Sequence, residues 1–97
     1  MILSFCNQGS EDIFDRKDTR AARRVCPQTL WNVARRKLDQ LNAVVSLASL
    51  SIPPGNCLEP LQGSRIGQHS IRINAQFRIC FIWSDEGVKN VEIVDYH

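Results

Sequence analysis

The segment Ser51-Ile-Pro-Pro-Gly-Asn56 separates two stretches of chain with different hydrophobic periods. Two consecutive prolines remove backbone donors and Gly-Asn favours a turn, so neither a helix nor a sheet ladder runs through it. Ahead of it the apolar residues recur at helical spacing. Pro27 suits the first turn of a helix, and a helical wheel of residues 30 to 45 gathers Leu30, Trp31, Val33, Ala34, Leu38, Leu41, Val44 and Val45 into one arc. Lys37 falls inside that arc, so its ammonium is expected to snorkel past the apolar surface, with a polar cleft as the alternative. A shorter helix is expected before this one, capped by Ser10 with Glu11 and Asp12 in its first turn, after a short strand starting in Ile2 to Phe5.

Behind the divider the period becomes two. Ile71 and Ile73 alternate with Ser70, Arg72 and Asn74; Phe77, Ile79, Phe81 and Trp83 alternate with Arg78, Cys80 and Ile82; Val91 and Ile93 alternate with Glu92 and Val94. Asn74 to Gln76 and Asp85-Glu86-Gly87 are turn segments joining these strands, and Cys57 to Leu61 is a candidate for one more. The expected architecture is an α+β domain: a short N-terminal strand, then two helices packed on one face of a mainly antiparallel sheet.

The 97 residues suffice for one domain, residues 1–97, and for no second core. An apolar fraction of 43% with 23% charged residues is that of a globular chain rather than a disordered one. No apolar run approaches the roughly 20 residues that cross a bilayer, and the first ten residues lack the basic and apolar regions of a secretory signal. A cytoplasmic address is expected. Cys6, Cys26, Cys57 and Cys80 contain no C-x-x-C pair and only His69 and His97 are available to complete a zinc site, so reduced structural thiols are expected, with no metal and no cofactor.

Net charge is only +2, but the cations are segregated. Arg16, Lys17, Arg20, Arg23, Arg24, Arg35, Arg36 and Lys37 fall between positions 16 and 37 with Asp18 as the one acid before Lys37, and Arg65, Arg72 and Arg78 fall in a stretch from Pro60 to Trp83 without acids. Such segregation favours an anionic partner, of which a phosphate backbone is the commonest. For the first cluster the alternative of a solvated helix face stays open.

The strand alternation sharpens the second cluster. If Phe77, Ile79 and Phe81 face the helices, Arg78 faces away from them, and so does Arg72 when Ile71 and Ile73 are buried. Two guanidiniums on one sheet face make an anion cradle, because the planar fork of Arg binds phosphate bidentately and stays charged. The structural alternative pairs Arg78 with Glu92 or Asp95 across the strands. The last strand continues into Asp95-Tyr96-His97, carrying a carboxylate, a phenol and an imidazole toward the rim of that face.

The stretches Gly67 to Trp83 (GQHSIRINAQFRICFIW) and Val91 to His97 (VEIVDYH), with Pro53 to Asn56 and Leu58 to Gly63, resemble the HigB-type toxins of the RelE superfamily, over essentially the whole chain. The resemblance implies a small RelE-like domain acting as the toxin of a type II toxin-antitoxin module. Its activity would be that of a ribosome-dependent, metal-independent mRNA endonuclease, which uses the RNA 2′-hydroxyl as nucleophile and so inhibits translation. Its partners would be a helix-turn-helix antitoxin of the HigA type, the ribosome and mRNA, with operator DNA reached only through the antitoxin complex. The family's active site falls on Asp95, Tyr96, His97, Arg78 and the position of Glu59, where some members have histidine. Gln62 stands where lysine is common, Phe77 where tryptophan is common, and Arg65 matches a basic position.

On this reading His97 is the general acid or base, Arg78 stabilises transition-state charge, Asp95 orients His97, Tyr96 stacks on or bonds to the substrate, and Glu59 is a second base. Arg65, Arg72 and Gln62 contact substrate RNA, and Arg16, Arg20, Arg23, Arg24, Arg35 and Arg36 contact ribosomal RNA. The competing class of function is a non-catalytic module that binds RNA or a partner protein through the same basic face.

Overall fold

In the computed structural model, which describes residues 1–96, the first helix is capped three residues earlier than expected, at Asn7 and not at Ser10. Asn7 adopts an extended backbone and its side-chain oxygen accepts the Ser10 amide at 2.8 Å, so α1 spans Gln8–Phe14 and Ser10 lies inside it. The Ser10 hydroxyl, fully buried, accepts the backbone amide of Ile93 at 3.0 Å and ties the helix to the last strand. A tertiary partner therefore decides between two residues that are equally good caps.

Three α-helices stand where the sequence pattern implied two. Arg16 takes a left-handed backbone (φ 62°) just past α1, and Thr19 caps a new helix, α2 (Arg20–Val25), by accepting the Ala22 amide at 3.1 Å. Asp12 joins the two: its carboxylate accepts from Gln8 Nε2 at 2.8 Å and from Thr19 Oγ1 at 2.7 Å. These two bonds, Thr19's first, hold its carboxyl below the ordinary range against the opposing effect of burial. Gly9 permits the close crossing, since a Cβ there would lie 2.4 Å from the Ala21 carbonyl oxygen.

A 3₁₀ turn over Gln28–Leu30 follows Pro27 and leads into α3 (Trp31–Ala43). Trp31, Ala34, Leu38 and Leu41 are its buried positions. The helix ends two residues before Val45, which is 94% exposed and not part of the apolar face.

The sheet is β1 (Glu59–Pro60), β2 (His69–Arg72), β3 (Phe77–Ser84) and β4 (Gly87–Asp95) in that spatial order, every pair antiparallel. The N-terminal segment runs parallel to β4 through two isolated bridges, Ile2 with Val88 and Phe5 with Val91, and forms no full strand. Ile71, Phe77, Ile79, Phe81, Val91 and Ile93 join Ile13, Leu38, Leu41 and Leu50 in one core. Each such side chain contributes on the order of 1.5–3 kcal/mol through burial. The register slips between Cys80 and Ile82, which ends the strict alternation before Trp83. Among the described residues no helix is long and apolar enough to cross a membrane.

Candidate active site

Alternation along β3 points Arg78 away from the core face that carries Phe77 and Ile79, and four elements converge on it. Its Nε donates to Ser70 Oγ on β2 at 2.7 Å, and its Nη2 donates to the Cys57 carbonyl at 2.6 Å. Glu59 Oε1 on β1 lies 3.6 Å from the same Nη2, and the guanidinium sits over the Tyr96 ring, 5.7 Å from its centroid. The side chain is only 12% exposed, while Glu59 is 47% exposed. A buried guanidinium requires partners for its donors. Among the described residues, no group meets Nη1.

The divider builds the Cys57 contact. Asn56, 1% exposed, is anchored through its side-chain amide to Gln40 Oε1 and to the Leu50 carbonyl, each at 3.0 Å. Cys57 then turns into the left-handed region (φ 46°, ψ 51°), which for a residue with a Cβ costs roughly 1–2 kcal/mol. The turn delivers its carbonyl to Arg78.

Register sets the rest of the face. Arg72 is directly opposite Arg78, Glu59 is opposite Ser70, and Val94 is opposite Arg78 on the other side. Like charges directly opposed across a sheet repel, and an anion bound between them removes that cost. Arg65 bonds Glu92 and Gln68, each at 3.2 Å, so the carboxylate expected as an alternative partner for Arg78 is taken by Arg65. Arg78 itself pairs with Glu59 instead of Glu92 or Asp95.

The tail residues divide between two faces. Tyr96, 42% exposed, lies with Arg78, whereas Asp95 is opposite Phe77 and accepts from Gln76 Nε2 at 3.0 Å. His97 lies outside the described residues. Gln62 and Arg72 are exposed, Arg72 on β2 directly opposite Arg78.

The N-terminal cations are less uniform than their sequence implies. Arg16 pairs with Asp39, and Arg23 with Asp18. The Arg16–Asp39 bonds raise the guanidinium and lower the carboxyl from their ordinary values. Arg35 lies over the Trp31 ring at 5.2 Å and donates to the Ile13 carbonyl at 3.0 Å. Arg20, Arg24 and Arg36 remain exposed. Lys37 does not snorkel outward: its Nζ donates to Asn56 Oδ1 at 2.5 Å. Asn56, Ser70 and the Cys57 carbonyl are site groups that the sequence does not single out. Asn56 belongs to a turn motif and the other two have no distinguishing pattern.

Burial pushes the Cys26 thiol up to about 11, and burial raises Cys80 beneath the arginine face, so both stay protonated near neutral pH. The four cysteines are free thiols. Among the described residues no three His, Cys, Asp or Glu side chains gather as metal ligands.

Residues 3–97 match the family of RelE-like toxins of the type II toxin-antitoxin system HigB. Toxin HigB-1 of Vibrio cholerae is 38% identical over 97 residues, which is 100% of this chain and 98% of that protein. An uncharacterized protein of Haemophilus influenzae is 35% identical over 65 residues, covering 67% of this chain and 64% of its own length.

Proposed function

The chain belongs to the HigB family of RelE-like type II toxins, and from that premise we propose that it cleaves messenger RNA on the ribosome, using the surroundings of Arg78. A type II toxin is one half of a pair, so its partner is an antitoxin. We assign that antitoxin to the helix-turn-helix HigA type, acting in the cytoplasm and bringing the pair to operator DNA.

The observation that carries the catalytic reading is the Arg78 guanidinium, clamped by Ser70 and the Cys57 carbonyl between Glu59 and Tyr96. A cation fixed before the reaction reorganises little as charge develops, which is the main source of electrostatic transition-state stabilisation. In the proposed reaction the ribose 2′-oxygen bonds to the adjacent phosphorus, the P–O5′ bond breaks, and a 2′,3′-cyclic phosphate and a 5′-hydroxyl remain. Glu59 takes the 2′-hydroxyl proton, His97 delivers a proton to the departing 5′-oxygen, and Arg78 with Arg72 carries the extra charge on phosphorus. Tyr96 stacks on a base beside the cut. Asp95 positions the tail: its bond to Gln76 fastens the end of β4 to the β2–β3 turn.

Arg20 and Arg24 on α2, with the partly engaged Arg16, Arg23 and Arg35, supply the surface for ribosomal RNA. Arg65 and Gln62 border the substrate strand.

The test is a reconstituted translation reaction with end-labelled mRNA. Cleavage leaving a cyclic phosphate, lost when the ribose 5′ to the cut is 2′-deoxy, supports the proposal. Ribosome binding without cleavage would instead make the protein a non-catalytic RNA-binding module.

A further inference from the structure

A second cationic feature adjoins the site. Arg36, Lys37 and Gln40 of α3, with Pro53 and Asn56 of the divider, line an open cleft of about 340 Å³. Asn56 spends its amide on Gln40 and Leu50 and offers its oxygen to Lys37, so a buried, triply bonded side chain fixes the ammonium in place. One of the three Lys37 donors is used by Asn56, and Arg36 is exposed beside it. None of the five lining residues is acidic, and neither cation has a carboxylate partner among the described residues. Burial lowers the Lys37 pKa, and the neighbouring Arg36 charge lowers it further. An anion entering this cleft relieves that repulsion.

The position of the cleft indicates which anion. Lys37 is tied to the Asn56 side chain and Arg78 to the carbonyl of the next residue, Cys57, so the two cations are anchored on consecutive residues of one turn. Two cations anchored on one turn suit neighbouring phosphates of a single nucleic-acid strand that crosses it. We propose that the Arg36–Lys37–Asn56 cleft binds an RNA phosphodiester adjacent to the linkage held at Arg78, an inference that rests on the RNA-cleaving reading above. Arg36 then serves the substrate strand, and Asn56 is a positioning residue that aims Lys37.

The test uses the full-length protein and a fluorescein-labelled, single-stranded RNA ten-mer methylated at every 2′-oxygen, which can bind but not react. Binding is followed by anisotropy over a series of KCl concentrations. Each phosphate contact contributes about 0.7 to the slope of log K against log[salt] for single strands. Arg36→Gln and Lys37→Gln are each expected to lower the slope magnitude by about 0.7, and Lys37→Arg to retain it. Because Lys37→Gln also disturbs Asn56, Arg36→Gln is the decisive variant; its side chain has no described bonding partner. In ribosomal cleavage both Gln variants should require several-fold more mRNA for half-maximal rate, while the saturating rate changes less than about twofold. An unchanged slope for Arg36→Gln overturns the subsite. So does an effect confined to ribosome pelleting, which would assign the cleft to ribosomal RNA. Wild-type protein that binds the methylated RNA with the expected slopes, yet never cuts message, overturns the nuclease reading and leaves the subsite standing.

Discussion

Glu59 Oε1 on β1 and Arg78 Nη2 on β3 are 3.6 Å apart across β2 on one sheet face, with the carboxylate half open to solvent and the guanidinium nearly enclosed. The asymmetry suits their proposed roles. The cation is held from behind by Ser70 and Cys57, and the carboxylate can leave the pair when a phosphate arrives without exposing an unpaired buried charge.

Replacing Arg78 should therefore affect both chemistry and stability. Arg78→Ala leaves the fully buried Ser70 hydroxyl and the Cys57 carbonyl without their donor. The expected cost is about 1–3 kcal/mol, or a melting temperature lower by roughly 5–15 °C, alongside a 10²- to 10³-fold slower cleavage. Calorimetry and single-turnover cleavage on programmed ribosomes measure the two effects. A variant with unchanged melting temperature would contradict the clamp.

Glu59→Gln should separate the same two quantities. The ion pair is long and half exposed, so stability should change by less than about 1 kcal/mol. Loss of a proton acceptor should slow cleavage by about 10²- to 10⁴-fold. Full activity of Glu59→Gln on programmed ribosomes would remove Glu59 as the base.

Ser10→Ala probes the tie between α1 and β4. It leaves the Ile93 amide without the hydroxyl it donates to, in a fully buried setting, and should destabilise the protein by about 1–3 kcal/mol. Urea unfolding should show a lower midpoint with an unchanged slope. An unchanged midpoint would mean that this bond does not hold helix and sheet together.

Asp12 and Asp39 make stability sensitive to acid. Bonds from Thr19 and Gln8 lower Asp12, and Arg16 lowers Asp39, below their unfolded values near 3.9. A lowered folded pKa means that the unfolded state binds protons more readily, so the stabilisation is present above about pH 4 and is lost as pH falls through the lower folded values. Melting temperature measured from pH 7 down to pH 2 should fall, and the gap between wild type and Asp12→Asn should close at the acid end. A constant gap would contradict the assignment.

Much of this site is legible in the amino-acid sequence. A period of two with Phe77, Ile79 and Phe81 inward leaves Arg78 outward, and Arg72 follows from Ile71 and Ile73. The partner of Arg78 was not legible, because β1 is two residues long and carries no pattern that sets its register. The Cys57 carbonyl contact depends on a left-handed turn at a non-glycine residue, which sequence rules disfavour. Lys37 lay within an apolar arc, and only the folding of the Pro53–Asn56 segment onto α3 supplied the polar partner that turns it inward. The short first helix was legible but α2 was not, because its six residues carry no long apolar period and the left-handed Arg16 that separates it from α1 carries no turn signal of its own.

We propose that the tail and Arg78 together cut message in the cell. Primer extension on cellular mRNA after induction without antitoxin tests it most directly, comparing wild type with Arg78→Ala and His97→Ala. New 5′ ends inside coding regions are expected for wild type and are lost in both variants, with growth restored. Growth arrest by wild type without new 5′ ends, or undiminished cleavage by His97→Ala and Arg78→Ala, would contradict it.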